Sequence, residues 1–270
     1  MDLFLNAFNS DTGDVFTVYE ERPAERFAGA VVWSRVRESA APTPVRVLPD
    51  GCMDLLWMDG ELLVAGPDTA AQIVSGAAGQ HYTGLRFAPG RAAAVLGVAA
   101  WELRDQRVPL AALRSDRLVR EWSERVADAA DRGVVLELLA AQLAETRDLA
   151  DPVPSGVLRG LRRGLDVPGL ARGLALSERQ LRRRCLDVFG YGPKTLDRVL
   201  RLGRALGPAR DGLPFAQVAT VAGYADQAHL AREVRALTGV PLGRLLADEA
   251  EQAAPEAAPG TTRPGGSGGQ

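Results

Sequence analysis

VPGLARGLALSERQLRRRCLDVFG, from Val167 to Gly190, and FAQVATVAGYADQAHLAREVRALTG, from Phe215 to Gly239, are one pattern written twice. Each reads as a short helix, a tight turn and a longer helix that stops at a glycine. In the first copy Asp166 can cap a helix whose first turn holds Pro168, where a missing N–H costs little. Leu170, Ala171 and Leu174 follow as its buried stripe. Ser177 is a preferred N-cap for the second helix, Leu181, Cys185, Val188 and Phe189 share an inward face, and Gly190 suits a left-handed C-cap. In the second copy Val218, Ala219 and Ala222 form the stripe, Gly223 relaxes the turn, Asp226 caps, and Leu230, Val234 and Leu237 point inward. Ser177 to Asp226 and Gly190 to Gly239 are both 49 residues apart, so only the turn differs, by one residue. Ala171 and Ala219 are small because two helices crossing steeply at a short turn need close backbone approach.

Outward from this repeat, Lys194 to Leu206 reads as one continuous helix with Leu196, Val199, Leu200, Leu202 and Leu206 apolar, ended by Pro208 and the Asp211-Gly212 pair. It would hold the two copies as a rigid spacer. Upstream, Asp151-Pro152-Val153-Pro154 cannot continue a helix and marks a boundary, which gives an all-α domain over residues 152–250. Residues 1–150 read as an α+β domain. The runs Val15 to Tyr19, Val31 to Val36, Val45 to Leu48, Asp54 to Met58, Leu62 to Ala65 and Tyr82 to Phe87 suggest a small β-barrel or sandwich, with Asp59-Gly60 as a hairpin turn. Helices follow over Arg91 to Leu96, Asp116 to Ala130 and Val134 to Thr146. The last carries Val135, Leu138, Leu139 and Leu143 as a stripe for its own core or for a second copy of the chain. Residues 253–270 have too little apolar surface to order and read as a disordered tail.

Composition agrees with two domains of different chemistry. The chain has 270 residues, 46% hydrophobic and 24% charged, as in ordinary soluble protein. Residues 1–151 hold 15 Arg against 23 acidic residues, a net of −8, whereas residues 152–248 hold 16 basic against 8 acidic residues, a net of +8. A basic module joined to an acidic one suits a polyanion-binding domain fused to a non-binding one. Lys194 is the only lysine. Cys52 and Cys185 lie in different domains and read as reduced thiols. The N-terminus has no basic leader, and no window reaches the roughly 18 uncharged apolar residues of a membrane span, so a cytoplasmic protein without membrane contact is expected.

The doubled pattern resembles the AraC/XylS family of bacterial transcription regulators, through GYADQAHLAREVRALTGVPLGRLL and ARGLALSERQLRRRCLDVFGYGPK in particular. The segments LPDGCMDLLW, VAGPDT, YTGLRFAPG and LGVAAWEL are similar to an uncharacterised N-terminal domain of some members. The first resemblance implies a double helix-turn-helix domain whose two recognition helices enter successive major-groove segments of double-stranded DNA. It leaves RNA polymerase, a homodimer through the N-terminal domain and a small-molecule effector open as further partners, and it implies no cofactor and no catalysis. Carried over by position, Arg179, Arg182 and Arg183 are the base readers of the first recognition helix, since Arg can bond guanine bidentately, and Gln180 could read adenine. The second helix offers Gln227, Ala228, Ala231 and Arg232. Its two alanines lack reach, so the second unit should specify less. His229 is either a contact residue or a locally packed one, and Lys194 and Arg198 are candidates for phosphate contact.

Two other functions compete. A ligand-sensing domain could use Trp33, Trp57, Tyr82 and Phe87 as a pocket, although aromatic residues in strands are more often core. An enzyme would need its chemistry in the N-terminal half, where Cys52, Asp54 and His81 are the scattered candidates. With only two histidines in the chain, no multi-histidine metal site can form there. No hydrolase elbow, zinc-protease helix or P-loop occurs.

Overall fold

The computed structural model describes residues 17–37, 44–75, 79–145 and 150–253, so the start of the first strand reading and nearly all of the tail lie outside the described residues. Two units with separate apolar cores follow one another, an α+β unit and an all-α unit. In the first, strands β1 (Thr17–Pro23), β2 (Ala30–Arg37), β4 (Met53–Met58), β5 (Glu61–Ala65), β7 (His81–Phe87) and β8 (Arg107–Pro109) form an antiparallel sheet in the order β1-β2-β7-β4-β5-β8. Strands β3 (Val45–Val47) and β6 (Gln72–Val74) pair as a separate ribbon. At three residues each, β6 and β8 are too short to show alternation, and the sequence reading missed both. Asp59 (φ 52°) and Gly60 (φ 84°) are both left-handed, as a type I′ turn between β4 and β5 demands.

The two faces of this sheet differ in chemistry. Met53, Leu55 and Trp57 of β4 and Leu85 and Phe87 of β7 enter the core. Against them pack α1 (Ala92–Leu96), α2 (Asp116–Ala127) and α3 (Arg132–Ala144). Leu139 and Leu143 of α3 are buried in this core and Val135 and Leu138 pack against it, so of the two uses read for this stripe it serves its own core. The fully buried Glu137 of α3 takes a 2.8 Å ion pair from Arg22 and a bond from the Arg26 amide, so β1 and the turn after it are tied to the helix. The opposite face is polar. Trp33 lies over Gly84, where a Cβ would sit 2.3 Å from the indole ring, and donates to Asp54 at 3.0 Å. Arg86, 8% exposed, is 3.3 Å from both Glu21 and Asp54 and 3.5 Å from Asp50. Desolvation raises the pKa of Asp54, against the pull of the Arg86 charge. The four aromatic residues read as one pocket therefore divide: Trp33 and Tyr82 share the polar face, while Trp57 and Phe87 are core.

The all-α unit runs α4 (Pro152–Arg162), α5 (Val167–Gly173), α6 (Glu178–Phe189), α7 (Pro193–Arg210), α8 (Phe215–Ala222), α9 (Gln227–Thr238) and α10 (Leu242–Ala253). Both prolines of the Asp151-Pro152-Val153-Pro154 stretch fit the first turn of α4, whose N-cap Asp151 accepts from the Val153 amide at 2.9 Å. Pro208 does not end the linker helix as read from the sequence. It is carried inside the last turn of α7, and the helix stops at Asp211. Lacking an N–H, Pro208 forgoes one helical bond, yet its carbonyl accepts from Leu213 at 3.0 Å and closes the helix end. No described helix is long and apolar enough to cross a membrane.

Candidate nucleic-acid interface

Each repeat copy is built as local chemistry dictates. Ser177 and Gln180 form a reciprocal capping box at the start of α6, and Asp226 caps α9 by accepting from the His229 amide at 2.6 Å. Both helices end on left-handed glycines, Gly190 at φ 81° and Gly239 at φ 79°. Leu181 and Cys185 of α6 and Val234 of α9 have no exposed surface, and Phe189, Leu230 and Leu237 are nearly as buried. They join Leu170, Ala171, Val218, Ala219 and the α7 residues Leu196, Val199 and Leu202 in one core, which fixes what remains outside. Replacing Ser177 with alanine is expected to cost about 1 kcal/mol of stability in denaturant unfolding, with little change in the outward side chains.

On α6 the exposed side chains are Glu178, Arg179, Gln180, Arg182 and Arg183; on α9 they are Gln227, Ala228, Ala231, Arg232, Arg235 and Ala236. The structure thus sets the three arginines together on one solvent face. Gln180, although exposed, is engaged: its Oε1 accepts from the Ser177 amide at 2.8 Å and from the Ser177 hydroxyl at 2.9 Å. Its reading as an adenine contact overlooked the Ser-x-x-Gln spacing, which signals a capping box. His229 packs locally, with Nδ1 accepting from the Ala225 amide at 3.3 Å and the ring edge-on to Tyr224 at 5.3 Å. Of the two linker candidates, Lys194 is exposed in the first turn of α7, whereas Arg198 is held by Glu233 of α9 at 2.6 Å. A groove of about 550 Å³ runs between the α4–α5 turn, α7 and the end of α8, lined by Arg162, Lys194, Arg201 and Arg204. Asp197 pairs with Arg201 and approaches Arg204 at 3.6 Å, which offsets part of that charge.

Of the residues weighed for catalysis, Cys52 and Asp54 are neighbours, but His81 does not join them. Across β4 and β7, Met53 pairs with Phe87 and Met58 with Tyr82, so Cys52 and His81 fall at opposite ends of the strands, roughly 20 Å apart at strand rise. Burial pushes the Cys52 thiol well up and that of Cys185 to about 12, so neither is a thiolate near neutrality. Among the described residues no cluster of three or more His, Cys, Asp or Glu could hold a metal.

The two units also meet, in a seam that sequence reading missed. Phe189, Gly190 and Tyr191 insert among Gly51, Pro67, Gly90 and Ala100 of the first unit. A Cβ would lie 3.4 Å from the Tyr191 hydroxyl at Gly51, 2.7 Å from the Phe189 ring at Gly90 and 2.4 Å from Pro67 at Gly190. At α9 the Ala71 amide donates to Leu237 O at 2.7 Å and Arg46 donates to Thr238 O at 2.6 Å. Leu48 of the first unit belongs to the core of the second.

Compared with known proteins, residues 170–248 match a family described as a helix-turn-helix domain, and residues 21–109 match a domain of unknown function, DUF6597. A search of curated protein sequences gave no match. Among solved structures the chain is similar to ToxT from Vibrio cholerae at 9% identity, covering 84% of this chain and 97% of that one with a TM-score of 0.45. A ToxT structure with bound (E)-4-(8-methylnaphthalen-1-yl)but-3-enoic acid also has 9% identity and a TM-score of 0.45, over 87% and 99% of the two chains. Wild-type ToxT with bound unsaturated fatty acid has 8% identity and a TM-score of 0.40, over 85% and 94%.

Proposed function

We infer that this chain, whose C-terminal part is a helix-turn-helix domain of the AraC type behind a domain of unknown function, regulates transcription by docking α6 and α9 in successive major-groove segments of double-stranded DNA. The observation that carries this reading is the pair of outward faces: two helices capped, buried and terminated alike, 49 residues apart, in the half of the chain that holds its excess positive charge. Their contents differ. Arg179, Arg182 and Arg183 give α6 the reach and donors for guanine, while Ala228 and Ala231 leave α9 able to meet only thymine methyls at those positions. Base reading therefore rests mainly on α6, and Gln227 and Arg232 supply what α9 contributes. Lys194 is assigned to phosphate. Gln180 and Arg198 are assigned mainly to structure, because Gln180 Oε1 already bonds Ser177 and Arg198 Nε already bonds Glu233.

Salt titration and footprinting test this directly on the full chain, using duplexes enriched from a random library. Affinity is expected to fall with log[salt] by about 0.9 per phosphate contact, because neutralising phosphates releases counterions. Two protected major-groove segments about 34 Å apart are expected. An affinity indifferent to salt would remove the phosphate contacts. A single protected segment would show that α6 docks without α9.

A further inference from the structure

Both proposed recognition helices end in the same way, on groups supplied by the other domain. Thr238, the last residue of α9, gives its carbonyl to the Arg46 guanidinium at 2.6 Å, one residue after Leu237 O accepts from the Ala71 amide at 2.7 Å. Gly190, the C-cap of α6, gives its carbonyl to the Arg104 guanidinium at 3.4 Å. A helix C-terminus carries partial negative charge and carbonyls without intrahelical partners, so a guanidinium there answers both charge and hydrogen bonding. The N-terminal sides of α6 and α9, with Arg179, Arg182, Arg183, Gln227 and Arg232, stay exposed. The grip is on the ends away from the proposed DNA face.

The grip is also close. Gly51 and Gly90 of the first domain and Gly190 of the second all have positive φ where a side chain would meet the opposite domain. These contacts draw on the stretches Leu48 to Cys52, Gly66 to Thr69, Pro89-Gly90 and Ala100 to Leu103, which also carry the N-terminal resemblance, while Arg104 follows directly after the last of them. Within the second domain α7 already joins the two copies. A second connection through the first domain makes the arrangement a closed loop of contacts, which one helix alone does not provide.

From this we propose that the N-terminal domain is a splint: Arg46 and Arg104 cap the two recognition helices and set their relative pose, and so fix the spacing between the two DNA segments the chain accepts. Arg46 and Arg104 are positioning residues. They touch no base, and their effect passes through the helices they hold. The proposal rests on the two-segment DNA reading above.

The test compares the full chain with an Arg46→Met, Arg104→Met variant, which keeps the apolar stems and removes both guanidinium groups. Each is measured on a duplex enriched by the wild type and on the same duplex with one base pair inserted between the two segments. One base pair displaces the second segment by about 3.4 Å and turns it by about 35°. The wild type is expected to lose about tenfold or more in affinity on insertion, on the scale of a mismatched pair, and the variant about threefold or less. A variant that weakens equally on both duplexes and keeps the wild-type ratio overturns the splint, since a merely structural role lowers both affinities alike. If the double variant does not fold by thermal melting, Arg46→Met alone is read in the same way, with the ratio falling at least twofold or the splint rejected. A wild-type selection that yields no sequence, or a single segment, instead overturns the DNA reading and takes the splint with it.

Discussion

Arg86→Ala is expected to destabilise the N-terminal domain by about 3–5 kcal/mol, the cost of leaving buried charge uncompensated. Arg86 is the cation at the centre of Glu21, Asp50 and Asp54, within 3.3 to 3.5 Å of all three, and its own side chain is 8% exposed. Its removal strands three carboxylates on a face where burial already raises the pKa of Asp54. The sign of the pH dependence follows. In the variant the folded-state pKa of Asp54 rises further above the unfolded value, so folding binds protons, and the deficit grows as pH climbs above the ordinary carboxylate range near 3.8. Denaturant unfolding at about pH 4 and pH 7 should therefore show a smaller deficit at the lower pH. A deficit equal at both would mean that lost packing against Trp33, rather than stranded charge, is the cause.

Leu181→Ala and Arg183→Ala, two residues apart on α6, are expected to fail in different ways. Leu181 has no exposed surface and sits in the core shared by α5, α6 and α7, so truncation should cost about 2–5 kcal/mol of stability and lower binding to every duplex. Arg183 is exposed, and its loss should leave the melting midpoint nearly unchanged while costing about 1–3 kcal/mol on a selected duplex and much less on a random one. Thermal melts and binding titrations on both duplexes separate the outcomes. Equal weakening on both by Arg183→Ala would make it a phosphate contact.

The all-α half was legible because its signals act over a dozen residues. Ser177, Asp166 and Asp226 cap where read, Gly190, Gly223 and Gly239 adopt the left-handed conformation, and every inward position named on α6 and α9 is buried or packed on the core. Local signals gave less in the sheet. Alternation shows that Trp33 and Trp57 each belong to one side of a strand, but only the register through β7 reveals that those sides are opposite, and register depends on pairing across the chain. Arg198 reads as a candidate for phosphate contact with no hint of Glu233, its partner, which is 35 residues away on another helix. The seam was invisible for the same reason on a larger scale. Arg46 and Thr238 are 192 positions apart, and nothing in the periodicity of either segment announces the other.

That separation has a consequence for how the molecule is made. The core of the first domain is made within its own residues, whereas that of the second also takes in Leu48, so the first can form while the second is still being synthesised, and contacts of long sequence separation come late in folding. The grip on α6 needs the chain only as far as Tyr191, but the one on α9 waits for Thr238, near the end of the described chain. A nascent or C-terminally clipped chain ending between these points would hold the first unit and α6 without α9. Under the DNA reading proposed above it would be a one-handed binder, with α6 to dock but nothing to set spacing. Under the two-segment reading proposed above, discrimination of spacing would need both grips, and so a chain that extends at least through Thr238.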